Sequence, residues 1–300
     1  MRAPPIDRTA GSGFLALLVA LLGLAAVGCG GPFPPLSQLE GLRVLGAHAE
    51  PAEVSPGDAV TLRALALDTA GKPITYSWYL CDLQTALASS STVNQDCVTQ
   101  TPGAGSALTP LGSGEAVTFS VPAFDPSKLG LGDSTFGIFV PIRLTARAPG
   151  VSPGDPDRVV EGIYKLRITN PLVALACPTT RPNRNPVIAG VEARQQDDGS
   201  VVLTARFTPD SLEGYCAVDA DKAAKGEMGL AQKTEQPTVR WFSTAGRFSN
   251  DVVGDGNETT FTVPTDTNPP PAGSPIDLYG LGRDDRGGTS LLYHATILRR

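Results

Sequence analysis

The sequence predicts an all-β protein of two tandem β-sandwiches, and three observations carry that prediction. Short runs alternate apolar and polar residues with a period of two, bounded by Pro, Gly and Asp, as in half-buried strands. The two halves of the chain repeat each other's motifs. Gly (33) and Pro (27) are abundant while aromatics make up only 6% of 300 residues, a composition suited to many turns between short strands.

The chain opens with Arg2 and Arg8 against a single Asp7, then an apolar run from Phe14 to Val27, then Gly28-Cys29. This is the layout of an export signal. A helix rising ~1.5 Å per residue needs ~20 apolar residues to cross the hydrocarbon layer, so this run is too short for a stop-transfer anchor and cleavage is expected. The tetrapeptide Ala26-Val27-Gly28-Cys29 closes it. It resembles the lipobox of bacterial lipoproteins, and that resemblance implies cleavage before Cys29, diacylglycerol on its thiol and an acyl chain such as palmitate on its new amine. Several chains together make a stable anchor, where one alone is marginal. By the habit of that family, Gly30 after the cysteine implies the outer membrane of the cell envelope. The alternative is an ordinary secretory signal cleaved near Ala25 or Gly28.

Loss of residues 1–28 removes two arginines and one aspartate and moves the formal charge from −6 to −7. A mildly acidic chain without a basic run argues against nucleic acid as a partner and against electrostatic docking on anionic lipid. Residues 29–38, including Gly-Gly-Pro-Phe-Pro-Pro, show no periodicity and read as a lipidated N-terminus with a flexible spacer.

After the spacer, Ile74, Tyr76, Trp78 and Leu80 share one face of an alternating strand. Ile142, Leu144 and Ala146 likewise oppose Arg143, Thr145 and Arg147, and Val201, Leu203, Ala205 and Phe207 oppose Val202, Thr204 and Arg206. The strand ending in Trp78 has a counterpart ending in Trp241. Thr118-Phe-Ser-Val-Pro122 returns as Thr260-Phe-Thr-Val-Pro264, and each copy precedes a pair of strands ending at Tyr164–Ile168 or Tyr293–Ile297. One domain is therefore expected at 39–172 and a second at 183–300, with a Pro- and Arg-containing linker at 173–182. Trp78 and Trp241 are expected to anchor the two cores.

The order Trp-Phe-Ser-Thr-Ala-Gly-Arg-Phe-Ser (241–249), Thr-Phe-Thr-Val-Pro (260–264) and Gly-Arg-Asp-Asp-Arg-Gly-Gly-Thr (282–289) resembles the immunoglobulin-like and PKD-like domains of bacterial surface proteins. The resemblance implies a core-tryptophan strand, a strand of the facing sheet and the approach to the last hairpin. The first domain departs from it by about twenty extra residues after its tryptophan strand, which include Cys81 and Cys97, and it lacks a Phe-Gly-Asp-Gly turn.

Besides Cys29 there are four cysteines, an even number for an oxidising compartment, so two disulfides are expected. Of the three possible pairings, Cys81 with Cys97 and Cys177 with Cys216 keep each bridge within one proposed domain. The chain has no CxxC, and neither histidine is near a cysteine in sequence, so these thiols do not read as a metal site.

No catalytic constellation emerges. His48 and His294 lie in different proposed domains, and neither accompanies a GxSxG elbow or another nucleophile motif; a non-enzyme without cofactor is expected. Asp251, Asp255, Asn257 and Glu258, with Asp284 and Asp285 from a neighbouring hairpin, offer oxygen ligands of the kind that hold Ca²⁺. Asp255-Gly-Asn is also an ordinary turn, and turn chemistry is the stronger reading. Two loops are long enough for recognition: Asp82–Asp96 between the first two paired cysteines, and Pro209–Gln236 with Cys216, Lys222, Lys225 and Lys233. The function expected is a lipid-anchored envelope protein that presents two immunoglobulin-like domains to a protein or polysaccharide. A structural or assembly subunit of an envelope complex is the alternative, and a calcium-dependent module the weakest.

Overall fold

In the computed structural model, alternating residues of the chain's first half form eight strands that make one sandwich. They are β1 (Leu42–Glu50), β2 (Glu53–Val54), β3 (Ala59–Asp68), β4 (Thr75–Leu80), β5 (Thr109–Ser113), β6 (Ala116–Ser120), β7 (Ile138–Ala148) and β8 (Arg158–Ile168). The structure describes residues 35–81, 95–103, 106, 108–123, 137–170, 177–226, 229–263 and 270–298. The lipobox with Cys29, and residues 82–94 of the first recognition loop, lie outside them.

One sheet has the order β1-β3-β6 and the other β2-β8-β7-β4-β5; all pairs are antiparallel except β2 with β8. The inner faces close over Trp78, Leu62, Ile142, Leu144 and Leu166. Trp78 is fully buried, and its indole Nε1 donates to Gly114 O at 2.9 Å. Arg143 departs from the expected alternation. It points away from that core yet is only 5% exposed, because its guanidinium donates to Gln100 O at 2.6 Å and pairs with Glu161.

The second half forms β9 (Ile188–Gln195), β10 (Val201–Phe207), β11 (Gly214–Val218), β12 (Leu230–Thr234), β13 (Thr238–Ser243), β14 (Arg247–Phe248), β15 (Val252–Gly254), β16 (Glu258–Thr262), β17 (Pro275–Arg283) and β18 (Thr289–Leu298). Its sheets are β14-β16-β10-β9 and β15-β13-β17-β18, packed over fully buried Trp241, Phe261 and Ile276. The tryptophan strands and the Thr-Phe-x-Val strands thus occupy facing sheets in both halves: the fold is all-β, two tandem immunoglobulin-like sandwiches.

Two expectations are corrected. The segment Pro209–Gln236 is not a loop throughout, since β11 and β12 pair as a two-stranded sheet inside it. Tyr215 and Ala217 of β11 are buried, at 2% exposure each, and that burial overrides the polar character of its partner strand. The spacer 29–38 also ends inside the fold. Gln38 bridges Ser243 in parallel, Leu39 N donates to Ser243 O at 2.7 Å, and Ser243 N donates to Ser37 O at 2.9 Å. Burying Leu39 draws those residues onto β13.

Leu36–Arg300 forms one compact unit. The reason is a further apolar cluster of Leu39, Leu45, Leu65, Phe242 and Leu281, with Leu67, Tyr279 and Leu292 around it. Leu65 and Leu67 are on the opposite face of β3 from Leu62 and Ala64, so β1 and β3 are apolar on both sides. A bulge between Val44 and Gly46 shifts the register of β1 and turns Leu45 to the outer face. The back of the β1-β3 sheet therefore packs on the back of β13-β17.

Candidate functional site

The seam between the sandwiches concentrates the chain's buried charge. Its centre is the turn joining β17 to β18. Asp284 Oδ1 accepts from the backbone N–H of Arg286 and of Gly288, both at 2.8 Å, an Asx-type turn that aims Arg286 inward. Gly287 has φ +100°, and a side chain at Gly288 would meet Asp284 and come within 2.7 Å of Arg184 O; the glycines make the tight turn possible.

Arg286 is 1% exposed. Its Nη2 donates to Glu53 Oε2 at 3.0 Å and to Arg181 O at 2.8 Å, and its Nη1 to Glu235 Oε1 at 3.1 Å. Its guanidinium lies 5.4 Å from the Tyr215 ring centre. Glu53 Oε2 also accepts from Arg167 Nε at 3.0 Å and from the Asn183 backbone N–H at 2.9 Å. Two cations and a backbone donor thus converge on one carboxylate oxygen, with residues from both sandwiches and from the segment between them. Asn183 is 2% exposed, so this segment is a packed part of the seam.

The surrounding acids bear the cost of this burial. Desolvation pushes the Glu235 carboxyl up to about 8; the Glu213 backbone N–H opposes the rise, Asp284 and Glu213 add to it, and Arg286 opposes it. Burial also raises Asp284, against the donors of Gly288, Arg286 and Asn183. Tyr215 donates its hydroxyl to Asp285, and burial followed by that bond raises the phenol.

A cleft opens on each side of this centre. The first, of about 560 Å³, is lined by β1 at Val44–Ala47, by Phe139 and Tyr164, and by the turn Arg283–Thr289. The second, of about 850 Å³, lies between His48–Glu53, Arg181–Ile188 and Ser290–Tyr293. Both volumes fall within the range of small-molecule sites, about 300–1,000 Å³, at the kind of boundary where such sites occur.

The residues expected from sequence are distributed differently. Asp255 Oδ1 accepts from Phe207 N at 3.0 Å, Glu258 faces Arg194 at 3.4 Å, and Asp251 stands 3.9 Å from Arg240. Asp284 and Asp285 serve the seam. Among the described residues no three His, Cys, Asp or Glu side chains form a metal-binding group. Cys81 and Cys97 lie with Cα atoms 5.4 Å apart and Cys177 and Cys216 with theirs 6.3 Å apart, each pair joined as a disulfide. His48 Nδ1 contacts Thr289 O at 2.6 Å, and His294 stacks on Tyr279 and contacts Asp277 at 3.1 Å. Lys222, Lys225 and Lys233 are exposed. Glu53, Glu235 and Tyr215 carry no motif in the sequence, and Tyr164 and Arg167 lie only in the stretch that closes the first half's last strand. Arg283 and Arg286 flank Asp284 and Asp285 in the Gly-Arg-Asp-Asp-Arg-Gly-Gly-Thr stretch (282–289), whose aspartates read in the sequence as candidate calcium ligands on the approach to the last hairpin, not as part of a buried ion network.

No family model matches the chain, and no curated protein matches it. Among solved structures, the fibronectin(III)-like modules of Clostridium thermocellum CbhA align over 86% of this chain and 94% of theirs, at 12% identity and a TM-score of 0.22.

Proposed function

We propose that this chain is a non-enzymatic, lipid-anchored envelope protein whose two immunoglobulin-like sandwiches act as one rigid binding module for a polysaccharide or a protein. The observation that supports it is the seam. Arg286, Glu53 and Glu235 hold the sandwiches at a fixed angle, and clefts of ligand size flank that lock. A pre-ordered site lowers the entropy cost of binding. Anchoring is read from Ala26-Val27-Gly28-Cys29. Mass spectrometry of the mature N-terminus tests it: Cys29 as first residue, with a diacylglyceryl thioether and an acylated amine, is expected, and an unmodified Cys29 or a cut elsewhere overturns it.

A second reading, an assembly subunit of an envelope complex, is favoured by Leu291 and Val187, which line the second cleft yet stay 56% and 51% exposed. Crosslinking in membranes separates the two. A protein partner joined through Leu291→benzoylphenylalanine would support assembly, and saturable polysaccharide binding without such a partner would support the first reading.

A further inference from the structure

The first cleft contains groups that the fold leaves unused. The Tyr164 hydroxyl is shut off from solvent and has no hydrogen-bond partner among the described residues. Leaving a polar group buried and unpaired costs about 1–3 kcal/mol. Burial raises this phenol, with Asp284 adding to the rise and Arg283 opposing it, so the hydroxyl stands within the fields of both.

Arg283 is the second unused donor. Its Nη2 reaches Leu45 O at 3.1 Å, an approach the bulge in β1 permits and Gly46 leaves open, since a Cβ there would sit 3.2 Å from that nitrogen. Its remaining nitrogens have no protein partner among the described residues. The residue as a whole is exposed, yet partial desolvation of its guanidinium and the neighbouring Arg240 lower its proton affinity, and Tyr164 opposes them. The acceptor is Asp285: one carboxylate oxygen takes the Tyr215 hydroxyl and the other is unengaged among the described residues. Phe139 supplies an aromatic wall.

Charge decides the ligand class. Lys165 and Arg283 offset Asp284 and Asp285 around the cleft, and Arg286 is matched by Glu53. The lining is thus electrically balanced, with donors and acceptors beside an aromatic ring, which suits a neutral polyol rather than an ion. We propose that this cleft holds a neutral sugar unit of an envelope polysaccharide, with Tyr164 and Arg283 donating to its oxygens and Asp285 accepting from a hydroxyl. The assignment rests on the polysaccharide reading above and gives it a place.

The full chain, extracted in detergent, is titrated calorimetrically with neutral gluco-, manno- and galacto-oligosaccharides and with an acidic oligogalacturonate. Saturable binding of a neutral oligosaccharide is expected, weakened about tenfold by Tyr164→Phe and by Arg283→Gln, the loss of about one hydrogen bond. Tyr164→Phe is expected to leave the melting temperature unchanged or higher, since the lost hydroxyl has no protein partner. Should that variant fail to fold, Arg283→Gln and Asp285→Asn carry the test. Neutral sugar bound at full strength by the variants overturns the cleft as its site and leaves the polysaccharide reading standing, as does binding of the acidic oligosaccharide alone. No binding to any of them overturns both.

Discussion

Arg286 Nη2 lies 3.0 Å from Glu53 Oε2 and joins the last hairpin of the second sandwich to the second strand of the first, 233 residues away in sequence. Glu235 shares the same guanidinium, with its side chain wholly buried. Arg286→Ala would therefore take one of two cations from Glu53 and a donor from the protonated Glu235 carboxyl, a loss of about 1.5–3 kcal/mol. In scanning calorimetry the wild type is expected to melt in one transition and Arg286→Ala in two, as each sandwich unfolds on its own core. Arg286→Lys is expected to fall between them, because an ammonium cannot span both carboxylates as the guanidinium fork does.

Stability is expected to decline as pH rises from about 4.5 to about 8. Glu235 holds its proton in the folded state up to about 8, while in the unfolded chain it loses that proton near its ordinary value of 4.5. Between those pH values the folded state binds more protons, so stability falls with rising pH and the loss is complete above the folded value. Denaturant titrations at pH 5, 6.5 and 8 check this against Glu235→Gln, which removes the titration and should flatten that part of the profile.

Asp68 and Arg158 tie the two sheets of the first sandwich together at one end. The guanidinium meets both carboxylate oxygens at 2.8 Å, and the same carboxylate accepts from the backbone N–H groups of Ala70 and Lys72 at 3.1 Å. The Asp68 side chain is 1% exposed. Asp68→Asn removes the charge and one of the paired acceptors, and a cost of about 1.5–3 kcal/mol in urea unfolding is expected.

The two disulfides close loops of different length, with separations of 16 and 39 residues. In the chain-entropy account, opening Cys81–Cys97 costs about 3 kcal/mol and opening Cys177–Cys216 about 4 kcal/mol. Double alanine variants of each pair, compared by urea midpoint, check the order. Peptide mapping without reduction checks the pairing itself.

The strands were legible because a half-buried strand writes its burial at every second residue. Trp78 and Trp241, and the Thr-Phe-x-Val pair at 118–121 and 260–263, repeat that pattern in both halves. The seam was not legible. Glu53, Arg167 and Arg286 are charged residues that composition places on the surface, and only the folded chain brings them together. Leu65 and Leu67 give β3 a second apolar face, but which surface covers that face depends on packing across the whole molecule. Strand β12, Leu-Ala-Gln-Lys-Thr, is mostly exposed, so its sequence carries no apolar stripe to reveal it.

The docking of Ser37–Leu39 on Ser243 has a mechanical consequence. A pull on the chain ahead of Leu36 reaches β13 before it reaches β1, through the backbone bonds at Ser37 and Leu39. Tension applied there would enter the protein through β13, the strand that carries the buried Trp241.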